Sequence, residues 1–283
     1  MHYVEHAPSP ALRDRVECFW SISGPAGAPG HRVLPDGCVD ILFDVSGSPV
    51  VVGAMTRALV TETTAAATEL LGARFRPGEA ASVLGVSLRE LSDGTIDLEE
   101  VWGARGRRVS DAVLERRLVE ERIALLSRAI EERLAARPRA EAGDATTRRV
   151  RKAVRLVREA EVVPSIDVLA AKLGVATRTL ERAFDERVGL RPKTFCRVVR
   201  LQRAVAAIDR CDVAWSALAL EVGYADQAHL VREVRELSGA SPTALLRERR
   251  AMSDSFNPAS SIDATVPPSN AHRPDAAPTR RRP

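Results

Sequence analysis

Two arginines occupy matching places in two stretches of the chain, about fifty residues apart. Arg182 follows Gly174 by eight residues, and Arg232 follows Gly223 by nine. A guanidinium group can form two parallel hydrogen bonds to a phosphate, or to the O6 and N7 atoms of guanine. On an exposed helix face such side chains predict recognition of a polyanion rather than covalent chemistry.

The two arginines belong to a pattern that occurs twice. The first copy is Ala170, Gly174, Leu180, Arg182, Phe184, Gly189, Pro192, and the second is Ala219, Gly223, Leu230, Arg232, Val234, Gly239, Pro242. The spacings agree except for one extra residue after the glycine of the second copy. A small residue lets two helices cross closely, and a glycine permits the tight turn between them. Each copy therefore predicts a helix-turn-helix whose second helix enters the major groove of DNA.

Local signals place the helices of the first copy. Ser165 is the predicted N-cap of the helix before the turn, and Thr177 is the predicted N-cap of the helix after it. Leu180, Phe184 and Val188 follow at i, i+4 and i+8, so they should face inward.

In the second copy Asp226 is the predicted N-cap, with Leu230 and Val234 facing inward. Between the copies, Pro192 opens a predicted helix that runs to about Asp209. A helix of that length spans about 27 Å at 1.5 Å per residue. With the radii of the flanking units, the recognition helices would lie about 34 Å apart, one turn of DNA.

A longer motif gives this pattern a family resemblance. Gly223-Tyr224-Ala225-Asp226-Gln227-Ala228-His229-Leu230, followed by Gly239-Ala240-Ser241-Pro242, resembles the signature of AraC/XylS-type transcriptional regulators. Arg200-Leu201-Gln202-Arg203-Ala204 is similar to the linker helix of that family. The resemblance covers roughly residues 150–248 and implies two helix-turn-helix units on a linker helix. The chain departs from the family at Leu230, Val234 and Leu245, where aromatic residues are usual.

The resemblance implies DNA contacts from two recognition helices, at about 177–188 and 227–238. The predicted DNA-binding residues are Arg178, Glu181, Arg182, Gln227, Ala228, His229 and Arg232. A glutamate can accept from cytosine N4, and the alanine methyl can contact thymine. For Glu181, a solvated or ion-paired carboxylate is the alternative. The residues near His229 in sequence do not suggest a metal site.

Charge is unevenly distributed along the chain. Residues 146–250 contain 21 Lys and Arg against 13 Asp and Glu, a net charge of +8, whereas residues 1–145 contain 17 against 22, a net charge of −5. This asymmetry predicts that the second half contacts a polyanion. Arginine strongly outnumbers lysine, which suits bidentate recognition of phosphate and guanine. A GC-rich coding bias is the alternative explanation for the excess of arginine.

The first hundred residues have a different pattern. Short apolar runs are broken by Pro35-Asp36-Gly37 and Ser46-Gly47-Ser48-Pro49, which favours a small antiparallel sheet or barrel. Four strings resemble an N-terminal domain attached to a subset of AraC-type regulators, and this implies sensing of a small molecule or dimerisation. They are Cys18-Phe19-Trp20, Leu34-Pro35-Asp36-Gly37-Cys38-Val39-Asp40, Val52-Gly53-Ala54-Met55-Thr56 and Ala73-Arg74-Phe75-Arg76-Pro77-Gly78.

Arg74 and Arg76 alternate around Phe75, so on a strand they would share one face. They are the predicted ligand-binding residues, for a carboxylate or a phosphate. Local salt bridges to Asp or Glu are the alternative. We predict neither a metal nor a cofactor, since the histidines of this region lack the close His/Glu pairing of a cupin-like site.

Apolar residues recur at helical spacing after Ser110, the predicted N-cap, with Asp111 in the first turn. They predict a long helix or a helical hairpin, which either forms a dimerisation interface or covers the sheet. The predicted fold is a two-domain α+β protein. Its parts are a β-rich sensor or partner domain (1–109), a helical hairpin or linker (110–140), an all-α double helix-turn-helix domain (148–250) and a disordered tail (251–283).

These patterns predict a sequence-specific, non-enzymatic regulator that binds double-stranded DNA. A small-molecule effector, RNA polymerase and a second copy of the chain are left open as further partners. The alternatives are a DNA-targeted alkyl-transfer repair enzyme and a non-specific architectural DNA binder. The former needs an activated cysteine, usually bound to a metal, and Cys38 lacks the accompanying cysteines.

Apolar runs and cysteine spacing predict the location of the protein and the state of its thiols. The sequence contains neither an apolar run of 18 residues nor a signal-peptide pattern, so a cytoplasmic protein without a membrane span is expected. Cys18, Cys38, Cys196 and Cys211 are scattered and predict buried, inert thiols.

Overall fold

A computed structural model describes residues 1–44, 47–63, 65–136, 144–208 and 214–252. Short strands dominate the first hundred residues, as predicted. They are β1 (His2–His6), β2 (Val16–Gly24), β3 (Arg32–Val33), β4 (Val39–Asp44), β5 (Val50–Val52), β6 (Leu59–Val60), β7 (Thr68–Phe75) and β8 (Thr95–Asp97).

Six of the strands form one antiparallel sheet in the order β1-β2-β7-β4-β5-β8, and β3 pairs with β6 in a separate two-stranded ribbon. Residues alternate across the sheet, so that β4 buries Val39, Ile41 and Phe43 on the core face. On the opposite face the indole of Trp20 lies over Gly72, where an added Cβ would come within 2.1 Å of the ring.

Helices also occur within the N-terminal part and directly after it. α1 (Ala80–Leu84) and α2 (Leu98–Trp102) are short, and α3 (Ala104–Leu114) and α4 (Val119–Ala135) form the predicted hairpin. Leu126, Ala129 and Ile130 of α4 belong to the same buried cluster as the core face of the sheet. Their apolar stripe therefore packs on the N-terminal domain, the second of the two predicted alternatives.

The predicted N-cap at Ser110 is wrong. Ser110 is buried inside α3, where its hydroxyl donates to the carbonyl of Gly106 at 2.8 Å. α3 begins earlier because Gly103 adopts a positive φ of 62°, which ends α2 and lets a new helix start at Ala104.

The C-terminal part is helical, as predicted. Its helices are α5 (Ala145–Glu159), α6 (Ile166–Lys172), α7 (Thr177–Arg187), α8 (Pro192–Ile208), α9 (Trp215–Glu221), α10 (Gln227–Ser238) and α11 (Pro242–Met252). The predicted disordered tail lies outside the described residues, apart from 251–252 at the end of α11.

Two hydrophobic clusters divide this helical part. The first contains Phe195 and Val198 from the N-terminal half of α8, and it continues through α5–α7 into the core of the sheet. The second contains Leu201 and Val205 from the C-terminal half of α8, together with α9–α11. The linker helix α8 thus lies in both cores, and this burial fixes it against each helix-turn-helix unit.

Candidate nucleic-acid interface

The two turns of the repeat have the same backbone geometry. The amide of Val175 donates to the carbonyl of Ala170 at 3.1 Å, and the amide of Tyr224 donates to that of Ala219 at 2.8 Å. Gly174 and Gly223 have φ of 66° and 87°, in the left-handed region that favours glycine. The sequence pattern therefore predicted both helix-turn-helix units correctly.

The helix starts differ between the two units. Ser165 caps α6 by accepting from the amide of Val168, and Asp226 caps α10 by accepting from the amide of His229 at 2.6 Å. Both caps were predicted. Thr177 was also predicted as an N-cap, and that prediction is wrong.

Thr177 is the first residue of α7, and the N-cap position is Ala176, which has no side-chain acceptor. The Thr177 hydroxyl instead donates to Asp167 at 2.9 Å and ties α7 to α6. The difference lies in the residue at the N-cap position, which is Ala176 before α7 and Asp226 before α10.

Most of the predicted DNA-binding residues lie on exposed helix positions. Arg178, Glu181 and Arg182 are exposed on α7. The Arg182 side chain is 70% exposed, and its Nε is 4.0 Å from the Glu186 carboxylate. An exposed pair of this length contributes about 0–1 kcal/mol, so it leaves the guanidinium available to a partner.

The second recognition helix has a comparable face. Gln227, Ala228 and Arg232 are exposed on α10, and Leu230 and Val234 are buried beneath them. Leu230 and Val234 are both fully buried, so the second unit has its own closed core.

His229 differs from the other six predicted residues. Its Nδ1 lies 3.3 Å from the amide of Ala225, which can donate to it, and its ring meets the Tyr224 ring edge-on at 5.3 Å. Its Nε2 lies 3.8 Å from a carboxylate oxygen of Glu233. The ring therefore stabilises the turn that precedes α10, and DNA contact by His229 stays a prediction.

Glu233 is a functional candidate that the sequence did not reveal. Its carboxylate is 11% exposed and accepts from Arg197 at 2.8 Å and from Arg200 at 3.3 Å, both on α8. Arg200 also lies over the Tyr224 ring, 5.6 Å from its centroid. These contacts tie the second recognition helix to the linker helix. In sequence, only the i, i+4 spacing from His229 hinted at such a role.

Neighbouring charges stabilise this cluster. Burial opposes the charge on Arg197, but hydrogen bonds to Glu236 and Glu233 raise the pKa of the guanidinium above its ordinary value. In the first unit the position equivalent to Glu233 is Ala183. There the contact with α8 is aromatic, with the rings of Phe184 and Phe195 at 5.8 Å.

A pocket lies between the sheet and the linker helix. Glu17 and Arg74 line it from the sheet, Arg158 from α5, and Phe195 and Val199 from α8. The space within it is about 30 Å³, roughly enough for a water molecule. A larger ligand would therefore have to separate the side chains that close the pocket.

Arg74 is the one predicted ligand-binding residue that lines this pocket. Its Nε lies 3.4 Å from Asp36 and 3.4 Å from Asp40, which agrees with the predicted alternative of local salt bridges. Burial raises the pKa of Asp40 to about 6, although Arg74 opposes the shift. Arg76 lies elsewhere, and its Nε donates to the carbonyl of Arg13 at 2.8 Å.

The thiols are buried, as predicted for Cys18, Cys38 and Cys196. Burial raises the pKa of Cys18 to about 12 and that of Cys196 to about 11, so neither is an activated nucleophile. Cys211 lies outside the described residues.

Within the described ranges, none of the helices is long and apolar enough to cross a membrane. The same residues contain no group of three or more His, Cys, Asp and Glu side chains that could hold a metal ion.

Comparison with protein families gives a match in each half of the chain. Residues 169–248 match a family described as a helix-turn-helix domain, and residues 4–97 match a domain of unknown function, DUF6597. None of the curated proteins matches the chain. The helix-turn-helix match includes both turns, the linker helix and both recognition helices.

Among solved structures, an AraC-type transcriptional regulator from Chromobacterium violaceum is similar, at 24% identity over 37% of this chain and 94% of that chain, with a TM-score of 0.34. A probable AraC family regulator from Rhodopseudomonas palustris is 27% identical over 35% of this chain and 95% of its own, with a TM-score of 0.32. ToxT from Vibrio cholerae is 11% identical over 87% of this chain and 97% of its own, with a TM-score of 0.41.

Proposed function

We propose that this chain is a DNA-binding transcriptional regulator of AraC type, which reads a bipartite site with α7 and α10 of its helix-turn-helix domain in successive major grooves. The observation that carries the proposal is the burial of α8 in both hydrophobic cores. A linker helix fixed in this way holds the two recognition helices at a set distance.

The faces that α7 and α10 would present to DNA differ, which favours an asymmetric binding site. α7 presents Arg178 and Glu181 where α10 presents Ala228 and the partly buried Val231. Arginine reads guanine and glutamate accepts from cytosine N4, whereas an alanine methyl contacts thymine. A single chain would therefore recognise two different half-sites.

We assign the DNA contacts by position. The proposed contact residues are Arg178, Glu181, Arg182, Gln227, Ala228, His229 and Arg232. Arg182 and Arg232 are equivalent in the repeat and are both exposed, so they are the first pair to test.

The test measures affinity for a site selected in vitro with the full chain. Arg182→Ala and Arg232→Ala should each weaken binding by about 1–3 kcal/mol for a lost bidentate base contact, and should relax specificity within one half-site. Arg128→Ala removes an arginine that is 79% exposed on α4, and it should leave binding unchanged. Wild-type affinity in both recognition-helix variants would contradict the assignment, and selection of no preferred sequence would favour an architectural role.

We further propose that the pocket beside Arg74 receives a small anionic effector. A carboxylate or phosphate would take the place of Asp36 on the guanidinium, and the apolar wall of Phe195 and Val199 belongs to the linker helix. A ligand there would contact both the N-terminal domain and α8, the helix that joins the two helix-turn-helix units.

Thermal unfolding of the full chain with a series of short-chain carboxylates tests the effector proposal. Binding to the folded state should raise the melting temperature of the wild type and of Arg76→Gln, whose substituted side chain lies outside the pocket. The increase should vanish in Arg74→Gln. An equal increase in Arg74→Gln, or none in the wild type, would rule out this class of effector at Arg74.

A further inference from the structure

The ribbon of β3 and β6 contacts the C-terminal end of the second recognition helix. The amide of Ala58, just before β6, donates to the carbonyl of Leu237 at 2.7 Å. The Nη1 of Arg32, on β3, donates to the carbonyl of Ser238 at 2.6 Å. Carbonyls in the last turn of a helix have no partner within the helix. The N-terminal part of the chain therefore caps α10.

Arg32 makes a second attachment with the same guanidinium. Its Nε and Nη2 donate to the two carboxylate oxygens of Glu248, on α11, at 2.9 and 3.2 Å. This is the bidentate geometry that fixes orientation as well as distance. The Arg32 side chain is 17% exposed, and its charge lies where the dipole of α10 favours a cation. One side chain thus joins β3, α10 and α11.

The residues after Arg32 extend this attachment. Leu34 packs against the second hydrophobic cluster, and the carbonyl of Pro35 accepts from the Nε2 of Gln202, on α8, at 2.6 Å. The first unit is held differently, since its core is continuous with the core of the sheet. The N-terminal domain therefore contacts both helix-turn-helix units. These contacts join the two units independently of α8.

From these contacts we propose that Arg32 is a positioning residue for DNA reading. It fixes α10 relative to α7, so that the N-terminal domain determines the half-site spacing that the protein accepts. The contacts lie at the C-terminal end of α10, whereas Gln227 begins the helix at the opposite end, so the attachment leaves the reading face open. The inference rests on the proposed reading of a bipartite site.

The physical reason is the effective concentration of the second unit. Two linked modules bind more tightly than either module only when their separation matches that of their sites. A second unit held by both α8 and Arg32 matches one spacing. A unit held by α8 alone samples more orientations, so it should bind the correct spacing less tightly and tolerate other spacings better.

The experiment uses the full chain and a bipartite site selected in vitro with the wild type. Affinity is measured for this site, for sites with one or two additional base pairs between the half-sites, and for the half-site of α7 alone. The variants are Arg32→Ala, Arg32→Lys and Glu248→Ala. Arg57→Ala is the matched control, because Arg57 is an exposed arginine close to the ribbon.

Arg32→Ala should bind the selected site about tenfold more weakly than the wild type and lose much of the preference for its spacing, because the second unit is no longer held in register. Binding to the α7 half-site should not change. Arg32→Lys keeps the charge without the bidentate fork, so it should recover part of the affinity. Arg57→Ala should behave as the wild type.

Two results would overturn the inference. One is wild-type affinity and spacing preference in Arg32→Ala, and the other is tighter binding, which would make the attachment inhibitory. If Arg32→Ala does not fold, Glu248→Ala removes the same bidentate pair from the other side, and the same expectations apply. A wild type that selects no bipartite site would refute the proposed function itself, an outcome distinct from failure of the Arg32 variants.

Discussion

Glu233 accepts hydrogen bonds from two arginines of α8 although its own carboxylate is nearly buried. A carboxylate in such a place is stabilising only while its partners remain, because a buried charge without a partner is costly. The three side chains are therefore interdependent. Together they hold α10 against α8, the helix that determines the position of α10.

Glu233→Ala should lower the stability of the second unit by about 2–4 kcal/mol, because it leaves the partly buried Arg200 without its carboxylate and Arg197 with only the exposed Glu236. Hydrogen exchange of the full chain measures this locally, as faster exchange in Gln227–Ser238 than in the wild type. Exchange in α7 should be unaffected, because α7 belongs to the other hydrophobic cluster.

The matched control for this change is Glu236→Ala. Glu236 also pairs with Arg197, at 2.7 Å, but its side chain is 54% exposed. Its loss should therefore cost less than about 1 kcal/mol. Equal effects of the two substitutions would mean that burial of Glu233 is not what makes it important.

Residue positions were predictable where the helical period sets them. Arg182 and Arg232 are exposed, as predicted, because they lie opposite the apolar residues that pack inward. Glu233 escaped prediction because its arginine partners are 33 and 36 residues away on another helix. Arg32 escaped for the same reason, since Glu248 is 216 residues further along the chain.

At the scale of elements, helices with long apolar periods were predicted best. The predicted ranges 177–188 and 227–238 differ from α7 and α10 by at most one residue, and the predicted end of α8 at Asp209 lies outside the described residues. The predicted caps at Ser110 and Thr177 failed, since an N-cap requires an extended backbone as well as a suitable side chain. Ser110 lies mid-helix and Thr177 is the first residue of α7, one position after the N-cap.

The linker helix shows why one element can serve two units. Apolar residues occur along most of α8, and Cys196, Val199, Ala204 and Ala207 are all buried. A helix that is apolar on several faces must be covered on several sides. Its N-terminal half is covered by the first unit and the sheet, and its C-terminal half by the second unit.

At the scale of the whole molecule, the sequence predicts separate domains. Packing nevertheless joins the N-terminal domain to the double helix-turn-helix domain. The buried cluster of the sheet continues into α5, α7 and α8 without a break. Glu79, 2% exposed, accepts from Arg151 of α5 and from Arg15 beside the sheet. Composition and charge change between residues 137 and 147, but they do not report whether the segments on either side share a core.

This shared core leads to a prediction about a fragment containing residues 144–252. On its own it would expose the surfaces of Val150 and Phe195 that face the N-terminal domain, and Arg151 would lose its buried carboxylate. It should therefore be less stable than the chain 1–252 by more than about 3 kcal/mol, measured by urea unfolding. The chain 1–252 is the appropriate comparison, because it keeps every contact between the described residues.

A fragment with the same unfolding midpoint as that chain would show that the shared cluster contributes little. A destabilised fragment would show that the N-terminal domain is part of the scaffold that holds the reading helices, so that any ligand of that domain acts on DNA recognition through a packed core.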